Sequence, residues 1–408
     1  MPALLVSSWM WHLTRWDGLF LCTYLVTYLG GPPIANQLVG AFLFVPMLLG
    51  TVVSARVRTP PHTLVLFTKL ALLPISVLMA GLVVLGAVQI WMVYPFMFAY
   101  GLGGMVNMTA QRELFYTMAG PLRSARVLNT EVTGTASAMM LGPLVGGVTI
   151  QVLGLGAAFG LLVLLLAASL PLMWISTRSL APSVAVVVPG EGAVVPATDW
   201  RLLRESTALV VVLVVTVICN LCYFAFMPLV PVIAEYLHAD AAMAGVIGAT
   251  AGMVQLGVAT AMIFRPPRRP LRAYMFGVAI CLCCLAIVSY APTLAIALLA
   301  LAVAGVGQAL FGSTQATLPV DVVAPHQRVA ALGLLSTTIG VALPTGMILL
   351  GAASSLLGAR QAILASACVG LVALAATWFC RRSLVRASDG AICVGRERHS
   401  ITPQPELG

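Results

Sequence analysis

Charge is scarce in this chain. Only 8% of its 408 residues are Asp, Glu, Lys or Arg, against about a quarter in soluble domains. Apolar side chains take their place, reaching 61% of the sequence at a mean hydropathy of +1.04. Such a chain cannot cover itself with polar groups, so its solvent is lipid. Lipid offers no partner to an exposed backbone amide, which leaves helices or closed barrels. The apolar runs are long and rich in Leu, Val and Ala rather than short and alternating, so an all-α membrane protein is expected.

Other absences narrow the function. No Walker loop is present, so ATP is not the expected energy source. The glycines around Gly154-Leu-Gly156 read as a helix connector. The nine cysteines lie mostly inside apolar runs, as do Cys219, Cys222, Cys281, Cys283, Cys284 and Cys368. With no histidine or carboxylate beside them they read as small buried residues, not as disulfides, metal ligands or redox centres. No nucleophile or metal set gathers at one membrane face, so neither an enzyme nor a cofactor is expected. The first basic residue, Arg15, follows the first apolar residues instead of preceding them, and no cleavable leader is expected.

What is present is a repeated pattern of spans. Hydropathy marks twelve, near 5–29, 34–54, 63–85, 89–109, 127–152, 155–176, 208–233, 241–264, 273–290, 294–317, 329–350 and 360–380. This divides the chain into an N-terminal half (1–176), a Pro- and Gly-broken linker (177–206), a C-terminal half (207–380) and a polar, disordered tail (381–408). Asp199–Ser206 in the linker reads as a short surface helix. With the N-terminus inside, eighteen arginines fall in cytoplasmic segments and only Arg360 on the opposite side. That asymmetry places both termini in the cytoplasm. It also accounts for the net charge of +9 without a nucleic-acid partner.

The halves repeat. "YGLGGMVNMTAQRELFYTMAGP" (100–121) aligns with "AGVGQALFGSTQATLPVDVVAP" (304–325) at an offset of 204. Gly101, Gly103, Thr109, Gln111 and Pro121 fall on Gly305, Gly307, Ser313, Gln315 and Pro325, and Pro143 falls near Pro344. Two six-helix halves in parallel repeat point to a transporter with its site between them.

"AMMLGPLVGG" (138–147) resembles the fifth-helix antiporter motif G-x-x-x-G-P-x-x-G-G of the major facilitator superfamily, with Ala138 at the first glycine. The stretches 219–252 and 305–346 are similar to the seventh-to-eighth and tenth-to-eleventh helices of a branch that includes the bacterial enterobactin exporter and related drug efflux proteins. The likeness covers roughly residues 9–380. It implies that Gly142, Pro143, Gly146 and Gly147 form a close helix contact and a hinge. Gly142 and Gly146, four apart, share one face. The family's loop between the second and third helices is only partly kept. Gly50, Arg56 and Arg58 remain, but Ser54 stands where the family has aspartate, which implies a gate without that charge contact.

Charged groups inside spans cost roughly 2.5–3.5 kcal/mol each on insertion scales and are functional candidates by default. His12, Arg15 and Asp17 fall in the first span, Lys69 in the third and Glu131 in the fifth. Lys69 and Glu131 sit near enough to span ends to reach the interface instead. Arg15 and Asp17, two residues apart, point to opposite sides of a helix. Arg15, once buried, needs a counter-charge, and the resemblance, which makes the first and fifth helices neighbours, implies Glu131 as its partner. Asp17, with Tyr24 on its stripe, is expected on the cavity side as the proton-coupling carboxylate, with Glu131 as the second candidate. In the related fold the first, fourth, seventh and tenth helices line the cavity, which implies a substrate site from Arg15, Tyr24, Asn107, Gln111, Asn220, Tyr223, Gln308 and Gln315.

These readings converge on a monomeric, proton-coupled secondary transporter of a bacterial inner membrane, exporting an amphipathic drug- or siderophore-like molecule by alternating access. An importer for a siderophore or peptide fragment, and a transport-dead receptor or scaffold, remain open alternatives.

Overall fold

Helices are the structural answer to a solvent that cannot bond to the backbone. The computed structural model describes residues 1–49, 59–119, 124–178, 201–265, 267–315, 317–324 and 327–401, and among these no strand occurs. The first half holds α1 (Pro2–Tyr28), α2 (Pro33–Phe44, tightening into a 3₁₀ turn at Val45–Leu49), α3 (Pro61–Val84), α4 (Ile90–Ala119), α5 (Ser124–Leu153) and α6 (Leu155–Thr177). The second holds α7 (Thr207–Tyr236), α8 (Ala241–Phe264), α9 (Pro270–Ser289), α10 (Leu294–Gln315), α11 (Arg328–Leu357) and α12 (Ala359–Ile401). Nine helices among the described residues are long and apolar enough to cross a bilayer, and Pro33–Leu48 is a shorter apolar one. α1 and α4 have 27 and 30 residues, but their apolar runs are diluted by polar, aromatic and glycine residues.

The starts and stops follow from sequence. Pro2, Pro33, Pro61 and Pro270 open helices, where the missing amide hydrogen is no loss. Asp240 caps α8, its Oδ1 accepting from the Met243 amide at 2.8 Å. Gly154 (φ +86°) and Gly358 (φ +83°) make the α5–α6 and α11–α12 turns in a backbone region open essentially to glycine. They stand 204 residues apart, the offset of the internal repeat.

α7 is not one continuous helix. After Ile218 it widens into a π turn (Cys219–Tyr223) and tightens into a 3₁₀ segment (Phe224–Leu229). It resumes as α-helix at Val230–Tyr236. Pro228 and Pro231 remove two ladder donors there. Within the break the Cys222 carbonyl accepts from Ser366 Oγ of α12 at 3.1 Å.

Two glycine-lined seams join the halves. At the α5–α8 seam a side chain on Gly147 would meet the Ala241 carbonyl, and one on Gly248 would lie 2.9 Å from the Pro143 ring. At the α2–α11 seam one on Gly40 would lie 2.8 Å from Met347 Sδ, and one on Gly351 2.9 Å from Gln37. Both seams lie toward the end that carries Gly154, Asp240 and Gly358. Toward the other end Thr133 and Ala136 of α5 and Thr260 and Ala261 of α8 are exposed. The molecule is closed at one end and parted at the other.

Several expected boundaries move. α4 runs on to Ala119 and α11 to Leu357, and neither added stretch, 110–119 or 351–357, contains a proline. α12 continues to Ile401, where a disordered tail from 381 was expected. Arg381–Ile401 contains no proline, and its charged and alanine residues favour helix. The expected short linker helix is the single turn Leu202–Glu205. Gly50, Ser54, Arg56, Arg58 and residues 179–200 lie outside the described residues.

Candidate functional site

A cavity of about 150 Å³ opens between the halves, walled by α1 and α5 on one side and α7, α8 and α10 on the other. α1 presents Trp16, Phe20 and Thr23, spaced four and three apart on one face. α5 adds Met139, Met140 and Pro143, and the 3₁₀ segment of α7 turns Phe226 and Met227 inward. Gly248 and Gly252 of α8 leave the space open. Four side chains carry polar groups: Trp16, with its indole N–H, and Thr23, Gln255 and Gln308. Thr23 Oγ1 is occupied by its own helix, donating to the Leu19 and Phe20 carbonyls at 2.9 Å. Gln308 Nε2 donates to the Tyr223 hydroxyl at 2.8 Å. No charged residue lines the cavity among the described residues. Methionines and aromatics around a few amides suit an apolar body of variable shape.

The first half keeps its charges behind that wall. Lys69 is 0% exposed, and its Nζ donates to Ser7 Oγ at 2.7 Å and to the Ser7 carbonyl at 3.1 Å. Ser7 Oγ donates onward to the Ser169 carbonyl at 2.7 Å, tying α1, α3 and α6 together. His12 Nε2 lies 3.2 Å from Glu131 Oε1, both side chains buried. A second, open groove between α1 and α5 leads to this pair, floored by Ser8, Trp9, Glu131, Gly134 and Ser137. It lies at the parted end of the molecule.

Arg15 packs its guanidinium on α4, where a side chain at Gly104 would come within 2.9 Å of Nε. It also lies 5.8 Å from the Trp16 ring centre and 5.6 Å from that of Phe44. Asn107 and Gln111, one and two turns further along α4, are buried, and their amide atoms make no hydrogen bond among the described residues.

A family model described as the Major Facilitator Superfamily matches residues 17–342. The chain belongs to that superfamily. It is a multi-pass membrane transporter that acts on a small-molecule substrate, not an enzyme. No curated protein matches the chain. Among solved structures, a bacterial homolog of the human lysosomal transporter Spinster, in an inward-facing and unoccupied conformation, is similar at a TM-score of 0.70 and 13% identity, over 96% of this chain and 97% of that one. The nucleoside transporter NupG is similar at a TM-score of 0.68 and 13% identity, over 92% and 97%. At such identity these likenesses speak for the fold alone.

The expected site residues fall at several different places in the fold. Of Arg15, Tyr24, Asn107, Gln111, Asn220, Tyr223, Gln308 and Gln315, only Gln308 lines the transporter's cavity. Tyr223 stands behind it, and Asn220 donates to the Thr216 carbonyl of its own helix at 2.9 Å. Tyr24 packs on Phe20 toward the closed end, with ring centres 6.1 Å apart. Asn107 and Gln111 lie inside the first half, and Gln315 is partly buried beyond the cavity.

Asp17 is 1% exposed and sits in the α1–α5 contact, not on the cavity wall. The reason is Trp16, whose ring takes the cavity-facing position one residue earlier. Arg15 does not pair with Glu131, because His12, three residues earlier on α1, already occupies it. Neither Lys69 nor Glu131 reaches the interface, since each finds a partner inside.

Sequence reasoning missed Gln255, although it is the sole amide in the eighth span and that isolation was a usable signal. It also missed the break in α7, which "FMPLVP" announces.

Proposed function

We propose that this transporter exports uncharged or weakly charged amphipathic molecules across a bacterial inner membrane, driven by protons, as a monomer with twelve spans and both termini in the cytoplasm. The observation that carries the reading is the lining of the central cavity. Trp16, Met139, Met140 and Met227 surround two amides, Gln255 and Gln308, and no ionised group. A sugar phosphate or peptide would leave its charges without partners there, at a cost of several kcal/mol. A drug- or siderophore-like molecule with an apolar body and a few hydrogen-bonding groups would not. This agrees with the branch resemblance carried by residues 219–252 and 305–346.

Proton coupling is assigned to the two buried carboxyls, at different depths. Glu131, with His12, is reached by the α1–α5 groove from the parted end. Asp17 lies deeper, sealed against Gly146. Opening the closed end requires the α5–α8 seam to part, and α5 carries both Glu131 and the glycine that covers Asp17. A change in protonation at either carboxyl therefore acts on the helix that moves.

The test uses sealed vesicles holding purified transporter and an environment-sensitive amphipathic dye. An imposed pH step should drive the dye against its gradient, and a protonophore should abolish the movement. Gradient-driven movement that survives the protonophore would sink proton coupling. Transport of anionic solutes in preference to neutral dyes would sink the substrate class.

A further inference from the structure

The Arg15 guanidinium is a buried charge without a counter-charge. Arg15 is 7% exposed, and its Nε and Nη2 donate to no acceptor among the described residues. Arginine keeps its proton inside proteins, and an unpaired ion held away from water is strongly destabilising. Trp16 and Phe44 offer their rings at 5.8 and 5.6 Å, which attract a cation but do not neutralise it. Residues 1–178 contain three acids, Asp17, Glu113 and Glu131, and each lies elsewhere. Glu131 meets His12 at 3.2 Å. Asp17 points to the other side of α1, against Gly146 of α5. Glu113 is exposed near the end of α4.

What faces Arg15 is a stripe of α4. Gly104 lets the guanidinium lie against the helix, and Asn107 and Gln111, three and seven residues on, share that face. They stand about 4.5 and 10.5 Å further along the axis, toward the parted end. They are 0% and 1% exposed, and all four of their amide atoms lack a partner among the described residues. Buried polar groups are as a rule satisfied, so three neighbouring side chains without partners mark a place where something else binds. Ser8, seven residues before Arg15 and on the same stripe of α1, is also buried with its hydroxyl unpartnered. It lines the groove that opens at the parted end, which gives the site an entrance.

We propose that Arg15 and Asn107, with Gln111 at the rim, form a binding site for a small monovalent anion of the halide class. The guanidinium supplies the charge and two N–H donors, and the Asn107 amide, on a second helix, turns its N–H pair to the same ion. Hydrogen bonds from a charged donor to an anion are the strong kind. One fixed positive charge matches one negative charge, and a divalent anion would bury a charge without a partner. The three side chains are each less than a tenth exposed, which leaves no room for an organic body. The site is independent of the transport reading, since none of the three lines the central cavity.

The unfolding temperature of the full-length protein in detergent tests this, with sodium gluconate replaced stepwise by sodium chloride or bromide at constant ionic strength. Gluconate is too large to enter. A ligand that binds only the folded state stabilises it, so the native protein should gain a few degrees, with saturation, from either halide. Arg15→Gln should show no halide response, and in gluconate it should unfold no earlier than the native protein, because the charge that needs a partner is gone. Asn107→Ala keeps the charge and removes a donor, and should move the halide midpoint about tenfold higher, as the loss of about 1.4 kcal/mol would. A native protein indifferent to both halides overturns the proposal, as does a halide response that persists in Arg15→Gln. If Arg15→Gln does not fold, Asn107→Ala carries the test, and a midpoint equal to the native one overturns the site.

Discussion

The carboxylate of Asp17 occupies the space that a side chain at Gly146 would need. A Cβ built on Gly146 lands on Asp17 Oδ1, and one on Gly142 lies 2.7 Å from the Asp17 amide nitrogen and 2.9 Å from Trp16 Cβ. The two glycines lay α5 directly on the backbone of α1. A methyl group should be enough to separate them. Gly146→Ala should lower transport at least tenfold in vesicles while leaving membrane insertion unchanged. Gly160→Ala, where no atom lies within 4 Å of the added carbon, should transport as the native protein does. Equal activity in the two variants would reduce the α5 motif to a packing detail.

Asp17→Asn keeps the shape of the side chain and removes its ability to lose a proton. Substrate exchange between two equal pools should persist, and accumulation driven by a pH step should fall to background. Vesicles of this variant that answer the pH step like the native protein would move the coupling role to Glu131.

The His12–Glu131 pair has its own signature. Removing one partner of a buried pair costs about 3–5 kcal/mol, so Glu131→Ala should lower the unfolding temperature in detergent. Glu131→Gln retains a hydrogen-bond partner for His12 and should destabilise less, yet lose gradient-driven transport. If Glu131→Gln is stable and fully coupled, the pair is a structural clasp only.

Gln308 and Gln255 should act on substrate and not on energy coupling. Gln308→Leu leaves the Tyr223 hydroxyl without its 2.8 Å donor and takes one polar group from the cavity. It should raise KM for hydrogen-bonding substrates several-fold, with little change for a purely apolar dye. Met140→Trp, which fills the cavity, should block both. Unchanged KM in Gln308→Leu for every substrate would mean that the cavity is not where they bind.

Orientation is tested at the α7–α8 turn. A cysteine at Asp240, in a background lacking other cysteines, should react with an impermeant thiol reagent added outside intact cells. A reporter fused after Arg381 should be active in the cytoplasm. Labelling of position 240 from the cytoplasm alone would invert the whole topology.

The architecture was legible because it is written in long-range averages. Spans, the 204-residue repeat and the Gly-Pro-Gly-Gly stretch of α5 depend on composition and spacing, which survive without coordinates. Site geometry depends on rotation about single helices, and there one residue is decisive. Asp17 and Trp16 differ by about 100° around α1, and that angle separates the cavity wall from the helix contact. Partner choice failed for a related reason. Charge and the adjacency of the first and fifth helices paired Arg15 with Glu131, but reach and register gave Glu131 to His12, and Arg15 settled among Gly104, Trp16 and Phe44. Cavity amides were sought on four helices, so Gln255 on a fifth went unnoticed.

The burial of Lys69 leaves no lysine amine at the surface of the molecule, since the sequence contains no other lysine. Its ammonium is enclosed by Ser7, with Ser169 behind, at the junction of α1, α3 and α6. Chemistry aimed at amines thus becomes a stopwatch for that junction. Acylation of Lys69, followed by mass in a peptide that contains it, can proceed only as fast as the three helices come apart. A rate that rises with substrate would locate part of the transport cycle's motion inside the first half, where a rigid-body rocking of two halves predicts none.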